Sequence, residues 1–179
     1  HLEHRRQRQM CIRDRVKVLK KIKQQMALSN IELAICLVKK IPMEIILQKA
    51  TELGVNKIIP IVSERTEVKE LNYDRANKIV IEATEQSNQL SPPKISEVIK
   101  FKDFLKNFKG SSKLFFADDN SKEILKADSL KQCKSISVLI GPEGDFSPLE
   151  RELILANSNV ISFTISRNIL RSDTAVISA

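Results

Sequence analysis

The chain has 179 residues, of which 42% are hydrophobic, and a formal net charge of +8. This length and composition predict one well-packed globular domain, or one domain and a fragment of another. No uncharged apolar run approaches the roughly 18 residues that a membrane span requires, so we expect no membrane protein. The three cysteines, Cys11, Cys36 and Cys133, lie far apart and are odd in number. They indicate neither a disulfide framework nor a metal site, and they favour a reduced, cytoplasmic setting.

Most of the positive charge belongs to a basic arm, residues 1–30. This arm contains nine Lys or Arg residues against two acidic ones, which accounts for +7 of the net +8. Three interpretations stay open: the arm binds phosphate groups, it is a solvated and unstructured tail, or its residues 5–15 are not native to the protein. The charge therefore does not predict nucleic-acid binding by residues 31–179.

Strands and helices alternate along residues 31–179. The predicted strands span 31–38, 56–62, 114–117, 136–140 and 160–165. The predicted helices span 42–53, 73–87, 101–108, 121–127 and 147–156, and a last one begins near Ser172. This alternation predicts an α/β fold with a mostly parallel sheet and helices on both of its faces.

The apolar spacing within three helices predicts which side chains face the core. The first helix places apolar residues on one face and ends before Gly54, which suits a left-handed C-terminal residue. The predicted core positions of the three helices are Ile45, Ile46, Ala50 and Leu53; Ala76, Ile79, Val80 and Ala83; and Phe101, Phe104 and Phe108.

The stretch 136–155 combines a strand, a glycine turn and a capped helix. Ile136–Ile140 is a short β-branched run, and Gly141–Gly144 (GPEG) follows it directly. Ser147 then suits an N-cap, Pro148 the first helical position, and Glu150 the third residue of a capping box. This layout is how α/β proteins hold a cofactor at the carboxyl edge of a sheet. The alternative is that the glycines only make a tight connection.

Several common chemistries find no support. His1 and His4 are the only histidines and both lie in the basic arm, so metal catalysis and Ser-His or Cys-His nucleophiles are not expected. Gly141–Gly144 lacks the Lys-Ser/Thr ending of a P-loop and is too short for a dinucleotide fingerprint. Its backbone amides suit an adenine or a ribose. The carboxylate of Glu143 is either functional or a partner of the helix dipole.

Two further polar segments are candidates. Arg171 stands between an apolar pair and a predicted helix start, where a guanidinium can pair with a phosphate or polarise a base carbonyl. The alternative is that Ser172 or Asp173 only caps that helix. The second segment is 82–89, a polar helix end that by itself is typical of solvated surface.

These segments together resemble the RsmE-type 16S rRNA uridine-N3 methyltransferases of the SPOUT superfamily of S-adenosylmethionine-dependent enzymes. The resemblance covers about residues 31–179. It rests on five motifs in the family's order: QKATELGV (48–55), IIPIVSER (58–65), EATEQS (82–87), LIGPEGDFSPLE (139–150) and NILRSDTA (168–175).

The resemblance implies a fold, a cofactor site and an assembly. It implies a SPOUT methyltransferase domain over 31–179 with a deep C-terminal trefoil knot, acting as a homodimer. It also implies a fragment, in which residues 16–30 are the tail of a PUA-like RNA-binding domain and the final helix is cut short. S-adenosyl-L-methionine is expected to bind in the knot, at Leu139, Ile140, Gly141, Pro142, Glu143, Gly144, Ile165, Ser166, Asn168, Ile169 and Leu170.

The resemblance further implies roles in catalysis and RNA binding. Arg171 is expected to contact the target uridine or its phosphate, and Glu143 is the candidate general base. Contacts with 16S rRNA, the small ribosomal subunit or a partner subunit are expected from Arg65, Glu85, Gln86 and Gln89. The alternatives are a SPOUT methyltransferase that acts on another RNA and a catalytically inactive SPOUT-fold RNA-binding domain.

This sequence departs from the family pattern at four positions. The family usually has Gly in place of Asp145 and of Ser166, and Arg in place of Asn168 or Gln89. A side chain at 166 crowds the cofactor if that position needs a positive φ or a close backbone approach.

Overall fold

The structure, a computed structural model, describes residues 30–108, 113–125, 130, 133 and 135–179. Residues 1–29 of the basic arm lie outside these ranges. Seven strands and five helices lie in the described ranges. They are β1 (Ile31–Cys36), α1 (Lys40–Glu52), β2 (Lys57–Val62), α2 (Tyr73–Gln86), β3 (Lys94–Ile95), β4 (Ile99–Lys100), α3 (Phe101–Asn107), β5 (Lys113–Ala117), β6 (Ile136–Ile140), α4 (Pro148–Leu155), β7 (Val160–Phe163) and α5 (Ser172–Ser178).

The strands form one parallel sheet in the order β3-β2-β1-β6-β5-β7, with β4 also paired to β2. The central strand β1 runs beside β2 and β6, so that Ile35 aligns with Pro60 and with Ile140. Because all these pairs are parallel, the carboxyl ends of the strands meet at one edge of the sheet. The predicted mostly parallel α/β sheet is confirmed, whereas the trefoil knot stays a prediction.

Proline within β2 is tolerated because of what lies on its outer side. The Leu37 amide donates to the Ile61 carbonyl at 2.9 Å, so the backbone of the preceding residue, Pro60, faces away from β1. On that outer side β3 pairs with β2 at Lys57–Ile58 and β4 pairs at Ile61–Val62, which leaves Pro60 without a ladder partner. The missing N–H of Pro60 therefore costs no hydrogen bond.

Alternation along β1 assigns its side chains to two cores, one on each face of the sheet. Leu33, Ile35 and Leu37 contribute to the core beneath α1, α2 and α5, whereas Ala34 and Cys36 contribute to the core beneath α3 and α4. The predicted core positions of α2 are all buried, as are Phe101 and Phe104 in α3, and Phe108 packs against them partly exposed. Helices therefore cover both faces, as predicted.

Helix α1 differs from its prediction at both ends. It begins at Lys40, two residues before Pro42, and its buried residues include Met43 and Leu47. Leu53 lies beyond the last helical residue and is 59% exposed, so its assignment to the core is wrong. Gly54 has the expected positive φ of 84°.

The helix predicted from Ser121 is wrong over its described part. Residues 121–125 are not helical, and Ile124 forms a parallel bridge with Thr164 of the segment after β7. The Ser121 hydroxyl accepts the Glu123 amide at 3.2 Å, which makes a local turn in place of a helix cap. The remaining predicted residues, 126–127, lie outside the described residues.

Strands β3 and β4 were not predicted because two residues each are too few to show alternation. Strand β7 ends at Phe163, two residues before its predicted end. Within the described ranges no helix has the length and apolarity to cross a membrane.

Candidate active site

Four loops follow the strands at the carboxyl edge of the sheet, where open α/β sheets bind ligands. They are residues 63–72 after β2, 118–125 after β5, 141–147 after β6 and 164–171 after β7. The fold thus brings to one edge the two segments that the sequence assigned to the cofactor. Ile165 and Leu170 of the second segment pack against the same core cluster as Ile140, which precedes the first.

The loop 141–147 ends in the predicted capping box. The Ser147 hydroxyl accepts the Glu150 amide at 3.3 Å, and the Glu150 carboxylate accepts the Ser147 amide at 3.2 Å. Pro148 occupies the first turn of α4. These local interactions satisfy backbone donors at the helix start and fix the direction in which the loop enters the helix.

Two long-range hydrogen bonds connect this loop to the loop after β2. The buried carboxylate of Glu150 accepts the Glu64 amide at 2.9 Å, and Glu150 is only 5% exposed. The Arg65 guanidinium donates to the Gly144 carbonyl at 2.9 Å. Arg65, which was predicted to contact RNA, is exposed, and this bond places it next to the GPEG turn.

The loop after β2 rests on a small buried polar group. The Ser63 and Thr66 hydroxyls are 2.7 Å apart, and Thr66 also accepts the Ser63 amide at 3.0 Å. Burial raises the pKa of the adjacent Cys36 thiol to about 12, so this cysteine stays protonated at neutral pH. Cys36 is thus a packing residue and not a nucleophile.

The two glycines of the turn differ in what a larger side chain would contact. A Cβ at Gly141 would lie 3.1 Å from the Phe146 ring, which packs against Phe101 and Phe116 at centroid distances of 5.1 and 5.7 Å. A Cβ at Gly144 would meet nothing closer than Arg65, at 3.8 Å. Neither glycine has a positive φ. Internal packing therefore explains Gly141, whereas a Cβ at Gly144 would make only ordinary van der Waals contact with Arg65.

Three of the remaining predicted cofactor residues around this turn have buried side chains. Leu139 and Ile140 are buried in the two cores and Pro142 is buried, so their side chains face the protein. Glu143 is exposed, and within the described residues its carboxylate has no hydrogen-bond partner.

The departures from the family pattern have distinct geometries. Asp145 has a φ of 59°, in the left-handed region that glycine adopts freely, and its carboxylate accepts the Phe146 amide at 2.7 Å. Ser166 has no positive φ, and its hydroxyl accepts the Asn168 amide at 3.0 Å. The Ser166 backbone is therefore not strained by the replacement of glycine.

Four of the eight residues of the segment 164–171 are exposed, and the other four are partly buried. Asn168 is exposed and Ile169 is 87% exposed, whereas Ile165 and Leu170 are partly buried. The Arg171 side chain is 78% exposed, and its closest described acidic group is Asp173, with Nε 3.9 Å from Oδ1. The guanidinium thus keeps its donors available at the start of α5.

A buried carboxylate beside the site was missed at the sequence level. Asp118, at the end of β5, accepts bonds from Arg151 at 2.8 and 3.3 Å, from Ser162 at 3.1 Å and from the Asn120 amide at 3.0 Å. Burial opposes ionisation of Asp118, but these hydrogen bonds outweigh it and lower the pKa of the carboxyl. The Asp118–Arg151 pair joins α4 to the end of β5, and the bond from Ser162 adds β7. The only sequence signal was the paired acids after a buried strand.

Asp119 follows Asp118 in the chain but lies in a different electrostatic setting. Burial, followed by the charges of Asp145 and Asp118, raises its pKa above the usual value. Asp119 is therefore within electrostatic reach of Asp145, the residue that follows the GPEG turn. Among the described residues no group of three or more His, Cys, Asp or Glu side chains is arranged to hold a metal ion.

The predicted RNA-binding residues of the EQS segment lie at the opposite edge of the sheet. Helix α2 starts after the carboxyl-edge loop 63–72 and ends before β3, which pairs with the first residues of β2. Glu85 and Gln86 are exposed there. The Gln89 amide donates to the Thr51 carbonyl at 2.6 Å, at the end of α1. One chain therefore does not bring these residues to the GPEG turn.

A separate cleft of about 500 Å³ lies between α1, α2 and residues 68–72. Its walls are largely apolar and include Leu37, Met43 and Leu71. No residue of 141–147 or 164–171 lines it. We therefore do not assign this cleft to the cofactor.

Comparison with known proteins identifies the family. A family model described as RNA methyltransferase domain matches residues 24–179. A Rickettsia conorii protein named ribosomal RNA small subunit methyltransferase E is 35% identical over 167 residues, which cover 92% of this chain and 68% of that protein. The protein of the same name from Aquifex aeolicus is 34% identical over 76% of this chain and 59% of its own length. The chain thus spans 59 to 68% of these two relatives.

Solved structures agree with this family. Ribosomal RNA small subunit methyltransferase E from Neisseria gonorrhoeae, bound to S-adenosyl methionine, is similar with a TM-score of 0.76 and 27% identity, over 89% of this chain and 66% of that one. A putative methyltransferase from Legionella pneumophila in complex with the same cofactor has a TM-score of 0.73 and 29% identity, over 84% of this chain and 64% of that one. With a family model covering residues 24–179 and a relative at 35% identity, the chain belongs to the RNA methyltransferase family.

Proposed function

We propose that this chain is the catalytic domain of an enzyme that methylates N3 of a uridine in 16S rRNA with S-adenosyl-L-methionine. The observation that carries the proposal is that the GPEG turn after β6 and the segment 164–171 after β7 lie at the same carboxyl edge of the sheet, where Ile140, Ile165 and Leu170 share one core cluster. The family match and the relatives named ribosomal RNA small subunit methyltransferase E support the reaction and its substrate.

The cofactor would be held mainly by backbone groups. The side chains of Ile140 and Pro142 are buried at the end of β6, so these residues would contribute backbone groups, whereas Leu139 lies one residue further inside the strand, paired with both β1 and β5. The residues proposed to bind S-adenosylmethionine are Leu139, Ile140, Gly141, Pro142, Glu143, Gly144, Ile165, Ser166, Asn168, Ile169 and Leu170. When bound, the cofactor supplies an electrophilic methyl group on a positively charged sulfur.

The protein's own groups would manage the proton and the charge of the uracil. N3 of uridine carries a proton that must leave, and the exposed Glu143 carboxylate is the proposed acceptor. The available donors of Arg171 would stabilise negative charge that develops on the uracil oxygens. Much of the remaining rate would come from holding the base and the methyl donor in line.

We further propose a cytoplasmic homodimer that acts on 16S rRNA or the small ribosomal subunit. Glu85, Gln86 and Gln89 lie at the edge opposite the GPEG turn, so a second copy of the chain offers a way for them to reach an active site. Sedimentation tests this assembly, and a purely monomeric chain contradicts it.

Calorimetric titration with S-adenosylmethionine and S-adenosylhomocysteine tests the function first. We expect saturable binding of one cofactor per chain. Labelled-methyl transfer to naked 16S rRNA and to small subunits follows, with mass spectrometry to locate the methylated uridine. The absence of cofactor binding contradicts the proposal. Methylation of a different RNA indicates a related enzyme, and RNA binding without cofactor binding indicates an inactive RNA-binding domain.

A further inference from the structure

Two hydrogen bonds from the loop after β2 hold the chain where it leaves the GPEG turn. The Arg65 guanidinium donates to the carbonyl of Gly144, the last residue of the turn, at 2.9 Å. The Glu150 carboxylate, in the first turn of α4, accepts the Glu64 amide at 2.9 Å and the Ser147 amide at 3.2 Å. Neighbouring residues of one loop therefore fix the end of the turn and the segment that joins it to α4.

The Glu150 carboxylate suits this role because of its burial and its two acceptor oxygens. One oxygen accepts the amide of Glu64, which is 86 residues away in the chain. The other accepts the amide of Ser147, directly before α4. Glu150 is 5% exposed and its bond with the Ser147 amide is buried, so loss of that oxygen leaves a buried donor without its acceptor. A buried acceptor shared between two loops fixes the position of one relative to the other.

The stem of Arg65 adds a packing contact to its hydrogen bond. Cβ and Cδ of Arg65 would lie 3.8 and 4.0 Å from a Cβ placed on Gly144. The side chain thus lies along the turn and does not extend away from it. Although the motif resemblance assigned Arg65 to RNA, this position allows it to act on the turn before any RNA is present.

We propose that Arg65 and Glu150 are positioning residues, which hold the backbone of Gly141–Gly144 in the conformation that binds the cofactor. The inference rests on the proposed function, because the turn is the proposed S-adenosylmethionine site. Both residues act through the turn and need not touch the cofactor or the RNA. Their loss must therefore weaken cofactor binding in the absence of RNA.

Two variants with matched controls test this role. Arg65→Met keeps the aliphatic stem and removes the donor, and its control Lys78→Met removes the same charge from an exposed position on α2. Glu150→Gln keeps the shape and leaves one oxygen for two amides, and its control Glu152→Gln changes an exposed residue of the same helix. Calorimetry measures the Kd for S-adenosylmethionine without RNA, and filter binding measures the Kd for 16S rRNA.

We expect Arg65→Met to raise the cofactor Kd about two- to tenfold and Glu150→Gln to raise it about tenfold or more, as the loss of one hydrogen bond predicts. RNA affinity and both controls stay at the wild-type value. In turnover assays the KM for S-adenosylmethionine rises while the KM for RNA does not. Arg65→Lys restores a donor and therefore binds the cofactor more tightly than Arg65→Met.

The outcomes separate this inference from the proposed function. If the wild-type chain binds no S-adenosylmethionine, the proposed function fails and the inference fails with it. If the wild type binds and Arg65→Met binds equally well, only the inference is overturned. Reduced RNA affinity with an unchanged cofactor Kd in Arg65→Met assigns this residue to the RNA instead. Thermal unfolding checks that Glu150→Gln is folded, and if it is not, the surface variant Arg65→Met decides.

Discussion

The two segments proposed to hold the cofactor differ in how firmly the rest of the protein holds them. Loop 141–147 buries Phe146 between two rings, ends in a capping box and is bonded to the loop after β2. In segment 164–171, residues 167–169 and Arg171 are exposed, and the side-chain hydrogen bonds described for it run to its own backbone. The first segment is built into the core, whereas the second lies on it.

This difference suits two tasks. A cofactor recognised by backbone groups needs those groups fixed before it binds, because ordering them during binding reduces affinity. A side chain that must contact a base on a large RNA needs access from solvent. Loop 141–147 provides the fixed backbone, and the start of α5 provides an accessible guanidinium at Arg171.

The largest expected effect comes from a substitution that disrupts the packing of the first segment. Phe146→Ala removes a ring that is 2% exposed and packs against two other rings, so we expect the free energy of unfolding to fall by about 3–5 kcal/mol. The matched change in the second segment, Ile169→Ala, removes a side chain that is 87% exposed and should cost less than about 0.5 kcal/mol. Urea unfolding measures both, and similar losses would contradict the difference between the segments.

The first segment was predictable from sequence because its signals are local. The strand Ile136–Ile140, the cap at Ser147 and the reciprocal Glu150 lie within fifteen residues, and the structure confirms each of them. What could not be predicted is what holds this segment against other loops. The Glu64–Glu150 bond spans 86 residues and the Arg151–Asp118 pair spans 33, and no spacing rule reports contacts at such separations.

Long-range contacts also explain where the local prediction failed. Ser121 is a good helix cap by residue type, but Ile124 instead forms a bridge with Thr164. The Thr164 amide also donates to the Glu123 carbonyl at 2.8 Å. Pairing with the segment after β7 thus replaces local helix formation. For the site, motif resemblance assigned residues to roles, whereas only the fold shows that Gln89 lies far from Gly144.

The second prediction concerns the accessible side of the site. Arg171→Ala should lower kcat for methyl transfer by about 100-fold, the cost of losing one preorganised donor to a developing charge. The Kd for S-adenosylmethionine should stay unchanged, because the Arg171 side chain is 78% exposed and the cofactor is proposed to bind mainly to backbone groups. A labelled-methyl assay and calorimetry measure the two quantities. The control is Lys78→Ala on α2, and an unchanged kcat in Arg171→Ala removes this residue from the mechanism.

The third prediction concerns the buried carboxylate beside the first segment. Asp118→Asn keeps the shape but loses the charge opposite Arg151, so we expect a loss of about 1.5–3 kcal/mol in the free energy of unfolding at pH 7. The pKa of Asp118 is lowered in the folded state, so its charge stabilises the fold above the unfolded-state pKa of about 4. This contribution is lost as the pH falls through the folded-state pKa.

The pH dependence makes the Asp118 prediction specific. The stability difference between wild type and Asp118→Asn should be constant near neutral pH and shrink in acid below about pH 4. Urea unfolding at several pH values measures it. The control Asp103→Asn changes an exposed aspartate on α3 and should leave the curve unchanged. A difference that grows in acid would contradict the assignment of the lowered pKa to the folded state.

The smallest expected effect concerns the helix starts that follow the two segments. At α4, the buried hydroxyl of Ser147 accepts the Glu150 amide, so Ser147→Ala should lower the free energy of unfolding by about 1 kcal/mol. At α5, the N-cap residue is Arg171, and its side chain makes no capping hydrogen bond. Arg171→Ala should therefore change stability by less than about 0.5 kcal/mol, although it removes activity. Urea unfolding of both variants decides the point. An equal loss at the two positions would mean that the rest of the protein holds the start of α5 as firmly as it holds the GPEG turn. Arg171 would then be a structural residue, and lost stability would contribute to the lower activity of Arg171→Ala.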